Sequence, residues 1–342
     1  MKEKKTGVLL VNLGTPDSPK VSDVKKYLRE FLNDPRVIDI NPLARKILVN
    51  GIIVPTRGPK SAKEYKKLFA IGKGSSPLYS YGVNLIEEIR KISNDKFDIE
   101  LAMRYGNPSM DKVLGKMRMA NYDQLIILPL YPQYASATSG SIIEKAFKII
   151  SQWWVIPEVK IMGQFYDDQR YLNCIHNRVR KTQLNNYDHI LFSYHGVPER
   201  HVDKVYLDGK PCKDHNCENE INKDNKQCYK ASCYATTKHI AELLDLKEDN
   251  YTTTFQSRLG KTPWLNPYTD QTVEELAKKG CKNILVFSPS FVADCLETIL
   301  EISEENKEIF IRNGGSKLDL VPALNDGEDW AKCIVEMIED YR

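Results

Sequence analysis

Long apolar runs and a strong net charge are both missing from this sequence. No apolar stretch reaches the about 18 residues that a membrane-spanning helix needs. The short apolar run at residues 7–13, which follows several lysines, is better interpreted as a buried first strand than as a secretion signal. The net charge of +3 is too small to indicate a nucleic-acid partner. These absences predict a cytoplasmic protein that does not bind nucleic acid.

The known phosphate-binding loops are missing as well. Residues 72–76 (GKGSS) lack the spacing of a P-loop, and no strand leads into them. Residues 12–16 (NLGTP) follow a predicted strand but lack the G-x-G-x-x-G pattern of a dinucleotide site. The sequence therefore argues against a nucleotide cofactor.

What is present is an alternation of short apolar strands with longer amphipathic helices. Eight strands are predicted, at residues 7–13, 97–104, 124–130, 159–165, 189–194, 251–255, 283–287 and 317–321. Helical patterns lie between them, at residues 21–32, 85–92, 141–152, 168–183, 235–244, 272–279 and 297–306. Apolar strands that alternate with helices are typical of parallel sheets covered on both faces.

The length of the chain and the spacing of its strands predict two doubly wound α/β domains. A chain of 342 residues is longer than a typical single domain. We predict domains at 1–166 and 167–328, each with a parallel four-stranded sheet flanked by helices and with a cleft between them, followed by a helix at 329–342. Residues 41–77 and 202–230 are the least regular parts of the pattern.

Polar and aromatic side chains collect at the predicted carboxyl ends of the strands, where open α/β sheets bind ligands. The ends at residues 12–16, 104–106, 131–134, 193–196, 256–258 and 288–291 together carry four tyrosines and a histidine. Strand ends are polar in most proteins, but six such ends together favour a binding site. His195, at the tip of a buried strand and followed by Gly196, is the candidate for acid–base chemistry.

Two glutamates lie close to the last of these ends. Glu297 and Glu301 share one face of a predicted helix, and Asp294 can cap its start. A solvated acidic surface is the ordinary explanation of such a pair. Neighbouring carboxylates also raise each other's pKa and bind hydrated divalent cations, so this pair suits proton or metal transfer.

Four of the eight cysteines are concentrated in one polar loop, at Cys212, Cys217, Cys228 and Cys233. They belong to an insertion at about residues 208–233, and their spacing is C-x4-C-x10-C-x4-C. Four thiolates can hold zinc or an iron–sulfur cluster, and each pair is wider than the C-x2-C of common zinc ribbons. We predict a structural [2Fe–2S] cluster; structural zinc and free thiols are the alternatives. His215 could replace one of the cysteines.

Five segments together resemble the ferrochelatase family. They are residues 10–16 (LVNLGTP), 128–140 (LPLYPQYASATSG), 193–200 (SYHGVPER), 255–270 (FQSRLGKTPWLNPYTD) and 291–301 (FVADCLETILE). The resemblance extends from about residue 7 to the C-terminus, and the SYHG and ADCLET elements are its most specific parts. It implies two Rossmann-like domains and a lyase that inserts Fe²⁺ into protoporphyrin IX, the last step of haem biosynthesis.

The resemblance also implies roles for individual residues. His195 matches the catalytic histidine, Glu297 the glutamate of the D-x-x-E-T element, and Glu301 a relay for protons or metal. His195 and Glu297 would face each other across the porphyrin and meet the substrate iron. Substrate-binding positions are matched by Leu13, Arg57, Arg104, Tyr105, Tyr131, Ser257, Trp264 and Phe291. Residues 42–59 look like the family's apolar lip, which implies at most a peripheral contact with the inner face of the membrane.

Three other functions remain as alternatives. A cobalt chelatase for a corrin precursor shares the scaffold but lacks the full set of motifs. A coproporphyrin III ferrochelatase has a tyrosine at the position of Leu13, so leucine there resembles the protoporphyrin branch. A non-catalytic porphyrin or iron–sulfur binding protein would not need His195, Glu297 and Glu301 together.

Overall fold

Runs of aliphatic and β-branched residues form the strands of this protein. The computed structural model describes residues 4–260 and 262–342, and all eight predicted strands are found there. They are β1 (Thr6–Thr15), β2 (Asp98–Gly106), β3 (Gln124–Pro129), β4 (Glu158–Ile161), β5 (His189–His195), β6 (Tyr251–Gln256), β7 (Asn283–Phe287) and β8 (Lys317–Leu320). The prediction of two parallel four-stranded sheets is confirmed.

The chain divides into two compact units, each built around one sheet. Unit 1 consists of Met1–Tyr131, Ala135–Gly163 and Asn325–Arg342, and unit 2 of Pro132–Tyr134 and Gln164–Leu324. The strand order is β2-β1-β3-β4 in unit 1 and β6-β5-β7-β8 in unit 2, with every neighbouring pair parallel. In each unit the first strand therefore lies inside the sheet, and the carboxyl ends of its neighbours meet at the same edge.

The helices cover both faces of each sheet. The described residues form twelve α-helices: α1 (Val21–Leu32), α2 (Pro42–Ile47), α3 (Val54–Ile71), α4 (Pro77–Ser93), α5 (Met110–Met119), α6 (Ser141–Ile150), α7 (Gln169–Val179), α8 (Glu199–Asp203), α9 (Tyr229–Leu243), α10 (Thr269–Lys278), α11 (Lys307–Arg312) and α12 (Glu328–Glu339). The last of them, α12, packs against α4 and so belongs to unit 1. In the part of the chain that is described, no helix is both long and apolar enough to cross a membrane.

The core of unit 1 shows why helices must shield both faces of the sheet from water. Side chains of the central strand, such as Leu9 and Val11, are fully buried, and they pack with Leu114 from α5 and Ile142 from α6. A strand that is apolar on both sides loses contact with water only when helices lie on both sides. The near-continuous apolar sequence of β1 therefore determines its central place.

Residues 41–77 are more regular than we predicted. Helix α2, a π-helix at Leu48–Ile53 and helix α3 follow one another without interruption. Pro42 is the first residue of α2, where a missing N–H costs nothing. Asn41 caps the same helix, because its side chain accepts from the N–H groups of Leu43 and Ala44. The correction matters because this region carries the predicted lip.

Two further π-helices lie at Ser136–Gly140 and Glu297–Asn306. The second replaces the α-helix predicted at residues 297–306. A π-helix bonds each residue to the fifth one along and is wider than an α-helix; such segments are frequent at functional sites. Both of these segments lie just beyond the carboxyl end of a strand, β3 and β7 respectively.

Candidate functional site

His195 is the last residue of the central strand of unit 2. Its neighbours along β5 are buried, so the backbone that carries the imidazole is fixed by the sheet. The ring nitrogen Nδ1 lies 2.6 Å from the carbonyl oxygen of Gly196. Because a carbonyl oxygen only accepts, Nδ1 must carry the proton, and the lone pair of Nε2 remains available as a base.

Glu297 and Glu301 both belong to the π-helix Glu297–Asn306, which follows β7 in the same unit. Glu301 is close enough to His195 for the imidazole to influence its titration. Burial raises the pKa of Glu301, while hydrogen bonds from Ser257 and the charge of His195 act in the opposite direction. A carboxyl with a raised pKa exchanges protons nearer to neutral pH.

Ser257 connects the end of β6 to this acidic helix. Its backbone N–H donates to Glu301 Oε1 at 2.7 Å, and its hydroxyl donates to Oε2 of the same carboxylate. To make both bonds the residue adopts a left-handed backbone with φ of 66°. Such a conformation is uncommon for serine, and it occurs here at a predicted site residue.

Two aromatic residues of unit 2 lie near the same strand ends. The centroid of the Phe291 ring is 6.3 Å from that of His195. The backbone of Trp264 forms an isolated β-bridge with Pro198, two residues after Gly196. Its indole Nε1 is buried and has no hydrogen-bond partner among the described residues. A buried indole N–H normally has an acceptor, so Trp264 offers a donor for a bound molecule.

The predicted site residues of unit 1 divide into exposed and buried ones. Arg57 is exposed on α3, while Leu13 and Tyr131 are half-buried at the ends of β1 and β3. The side chain of Tyr105 is fully buried in unit 1, and its hydroxyl donates to Asp34 Oδ2 at 2.8 Å. Its role in porphyrin binding stays a prediction.

Arg104 is also held inside unit 1. Its Nη2 donates to Asp34 Oδ2 at 2.6 Å, and its Nε donates to Ser141 Oγ at 2.7 Å. The side chain of Asp34 is only 3% exposed. Sequence reasoning missed Asp34, which stands between Asn33 and Pro35 after α1 and there indicates no more than a turn.

Three of the four predicted cysteine ligands meet in unit 2. The sulfur of Cys212 lies 3.5 Å from those of Cys217 and Cys228, which are 3.8 Å from each other. The pKa of the Cys228 thiol is lowered to about 3, because the other two thiols donate to its sulfur. These sulfur–sulfur distances of 3.5 to 3.8 Å are close to the edge of about 3.8 Å of a tetrahedron around a metal with bonds of about 2.3 Å.

Cys233 is not among the three sulfurs that lie together, so its part in a metal centre stays a prediction. It lies on α9, one turn beyond Cys228, and its fully buried thiol interacts with Tyr229. His215 does not join them either, since its ring stacks on Tyr206 with the centroids 3.7 Å apart. Tyr206 is a neighbour that sequence reasoning missed, and its hydroxyl lies 2.8 Å from Cys217 Sγ.

Known proteins that are similar to this chain are ferrochelatases. The family model described as Ferrochelatase matches residues 5–341. A ferrochelatase of Legionella pneumophila (strain Lens) is 43% identical over 337 residues, which cover 98% of each chain. A ferrochelatase of Coxiella burnetii is 41% identical, over 97% of this chain and 93% of its own.

Among solved structures, the chain is similar to SirB from Bacillus subtilis with Fe³⁺. The TM-score is 0.51 at 10% identity, covering 98% of this chain and 95% of that one. A sirohydrochlorin chelatase SirB in complex with cobalt, from Bacillus subtilis subspecies spizizenii, gives a TM-score of 0.50 at 9% identity, covering 98% and 94%. At this low identity the likeness supports the fold alone.

Proposed function

Since the chain belongs to the ferrochelatase family and inserts ferrous iron into a porphyrin in haem biosynthesis, we propose that protoporphyrin IX is the porphyrin and that His195, Glu297 and Glu301 exchange its protons for iron. The observation that carries the assignment of His195 is the contact of 2.6 Å between its Nδ1 and the Gly196 carbonyl oxygen. In the neutral imidazole this contact places the proton on Nδ1 and the lone pair on Nε2, where a base needs it.

The reaction explains the residue types. A free porphyrin carries two pyrrole N–H protons at its centre, and both must leave as Fe²⁺ enters. A neutral imidazole can accept a proton at cytoplasmic pH. Carboxylate oxygens bind a hydrated divalent cation and can replace its waters, so Glu297 is suited to deliver or retain the substrate iron.

Glu301 is the proposed relay behind Glu297. The two residues are four apart on one π-helix, and the pKa of Glu301 is raised by burial. A carboxyl whose pKa lies above its usual range can take a proton from the reacting centre and release it to solvent. This role needs a fixed orientation, which the two hydrogen bonds from Ser257 provide.

The remaining predicted residues are proposed substrate-binding residues of unit 1 or of unit 2. Phe291 and Trp264 offer aromatic surface, and the indole Nε1 of Trp264 is a donor that still needs an acceptor. Arg57 is exposed and can meet a propionate, since guanidinium pairs well with carboxylates. Leu13 and Tyr131 complete the set at two strand ends of unit 1.

The test is anaerobic mixing of Fe²⁺ and protoporphyrin IX with the purified protein, followed by the haem absorption spectrum. We expect no turnover for His195→Ala and Glu297→Gln, with porphyrin binding retained, and a smaller loss for Glu301→Gln. His239→Ala is the control, because this histidine of the same unit lies on α9 with its side chain 42% exposed. Normal turnover of a folded His195→Ala variant would contradict the assignment, and a parallel assay with coproporphyrin III tests the choice of substrate.

We also propose that the cysteines of the insertion hold a structural metal centre. The support is the short spacing and full burial of Cys212, Cys217 and Cys228. A [2Fe–2S] cluster needs four thiolates, and Cys233 is the nearest remaining cysteine in sequence. Three thiolates with one further ligand suffice for zinc. Either centre would cross-link the loop. It would have no redox role, because the insertion of Fe²⁺ involves no change of oxidation state.

Cys233→Ala separates the two forms of the centre. A cluster with four cysteine ligands would be lost, and the red-brown colour of anaerobically purified protein would disappear with it. A zinc site made from the other three cysteines would keep stoichiometric metal in the variant. Protein without bound metal in either form would refute the proposed centre while leaving the chelatase assignment unaffected.

We place the protein in the cytoplasm, with the lip as a peripheral contact to the inner face of the membrane. The support is the exposure of apolar side chains on α2 and the following π-helix, at Leu43, Ile47 and Ile52. Co-sedimentation with anionic lipid vesicles should fall for Leu43→Ser combined with Ile47→Ser. The exposed residue Met119, at the end of α5, provides the control substitution Met119→Ser.

A further inference from the structure

Gln256, the last residue of β6, connects the two glutamates of the acidic helix. Its amide Nε2 donates to the backbone carbonyl of Glu297 at 3.0 Å and to Glu301 Oε2 at 3.3 Å. Together with Ser257 it brings three donors to the Glu301 carboxylate from two consecutive residues. Gln256 is 3% exposed, so these contacts are shielded from water.

A buried serine holds the amide of Gln256 in place, and the two acceptors beside Nε2 determine which way the amide points. The hydroxyl of Ser193, on β5, donates to Gln256 Oε1 at 2.7 Å. If the amide were reversed, Oε1 would face a carbonyl oxygen and a carboxylate, which are both acceptors. The reversed orientation would therefore repel Glu301.

The serine is the first link of a longer chain of hydroxyl groups. Thr269 Oγ1 lies 2.8 Å from Ser193 Oγ and 2.9 Å from Thr254 Oγ1. Ser193, Thr254 and Thr269 are at most 1% exposed, so no water can replace a missing hydroxyl from the surface. These hydroxyls join β5, β6 and the first residue of α10 to the amide of Gln256.

We infer that this buried chain is a positioning device for metal insertion: Ser193, Thr254 and Thr269 orient Gln256, which in turn holds Glu301 and the first turn of its helix. The inference rests on the proposed role of Glu301 and adds residues that do not touch the porphyrin. Interior polar networks hold geometry well when every member is satisfied, because each unpaired member is costly at low dielectric. An enzyme that moves protons through a carboxylate needs such a fixed geometry.

The test is a double-mutant cycle between Thr269→Val and Glu301→Gln in the full-length protein. Thr269→Val keeps the shape of the side chain and removes the hydroxyl. We expect kcat to fall about 2- to 10-fold, the size of one hydrogen bond, with an unchanged KM for porphyrin. In the Glu301→Gln background the same substitution should have no further effect, because its influence passes through Glu301.

Three further variants complete the design. Thr269→Ser retains the hydroxyl and should restore kcat, which a purely structural effect of the substitution would not predict. Ser193→Ala breaks the chain at its other side and serves if Thr269→Val does not fold. Thr252→Val is the matched control: it makes the same change on β6, the strand of Thr254, at a hydroxyl that bonds His189 Nε2 instead.

The outcomes distinguish a failure of the positioning inference from a failure of the proposed relay role of Glu301. The positioning inference is wrong if kcat is unchanged in Thr269→Val. It is also wrong if the fold-losses of kcat in Thr269→Val and Glu301→Gln multiply in the double variant. A wild-type kcat in Glu301→Gln alone overturns the relay role of Glu301. The predicted pattern, equal losses in Thr269→Val and Ser193→Ala that vanish in the Glu301→Gln background, supports both.

Discussion

Replacing Asp34 by Asn in unit 1 should destabilise the protein strongly, although the two side chains have nearly the same shape. Asp34 Oδ2 accepts from Arg104 Nη2, Tyr105 OH and Ser141 Oγ at 2.6, 2.8 and 2.5 Å. Its other oxygen, Oδ1, accepts from the backbone N–H of Arg36 at 2.7 Å. Every atom facing the carboxylate is therefore a donor.

The magnitude follows from this geometry. An asparagine must direct its NH₂ group either at the three side-chain donors or at the Arg36 N–H, so one donor always faces another. It also leaves the Arg104 guanidinium, 15% exposed, without a compensating charge. Breaking a buried ion pair by removing one partner costs about 3–5 kcal/mol, and we expect about 3 kcal/mol because Asn retains some of the acceptor contacts.

Urea unfolding, followed by tryptophan fluorescence and circular dichroism, measures the change. Trp153 and Trp330 are buried in unit 1 and report on it directly. The matched control is Asp111→Asn, the same chemical change at a side chain that is 60% exposed and paired with Lys145. It should cost less than about 1 kcal/mol. Equal losses for the two variants would refute the argument that burial and donor convergence make Asp34 important.

Three other substitutions test separate parts of the structure. Tyr206→Phe keeps the ring stacked on His215 but removes the hydroxyl at 2.8 Å from Cys217 Sγ. For the metal centre that we propose there, we expect faster loss of the metal to a chelator, and an unchanged rate would contradict this. Hydrogen bonding to Arg170 lowers the pKa of Asp168, so this contribution to stability is present above the unfolded pKa and disappears as pH falls through the folded pKa. Asp168→Asn should therefore lower the unfolding midpoint at pH 6 but not at pH 2, and a difference that persists in acid would disprove the linkage. Arg45→Met removes the donor that binds the carbonyls of Ile38 and Ile40, so limited proteolysis should cut the lip sooner than in Lys46→Met, and equal rates would exclude this anchoring role.

Much of the architecture could be predicted because it depends on local patterns. Apolar runs such as those of β1 and β5 are stable only in a sheet covered on both faces, and the helices between them require parallel pairing. His195 could be identified as a candidate for the same reason, since a polar residue at the tip of such a strand lies at the ligand-binding edge. The helices of the lip were not predicted, because residues 41–77 are among the least regular parts of the sequence pattern.

The partners of the site residues were decided only by the tertiary structure. Asp34 and Arg104 are far apart in sequence, as are Ser193, Gln256 and Thr269, and no periodicity indicates that they meet. The same holds for the cysteines: spacing suggested four equivalent ligands, but the start of α9 turns Cys233 toward Tyr229 and leaves three together. Hydrogen bonds and ligand sets depend on distances of a few tenths of an ångström between side chains from different elements. Such distances are set by how strands and helices pack, and a linear pattern of residue types does not contain them.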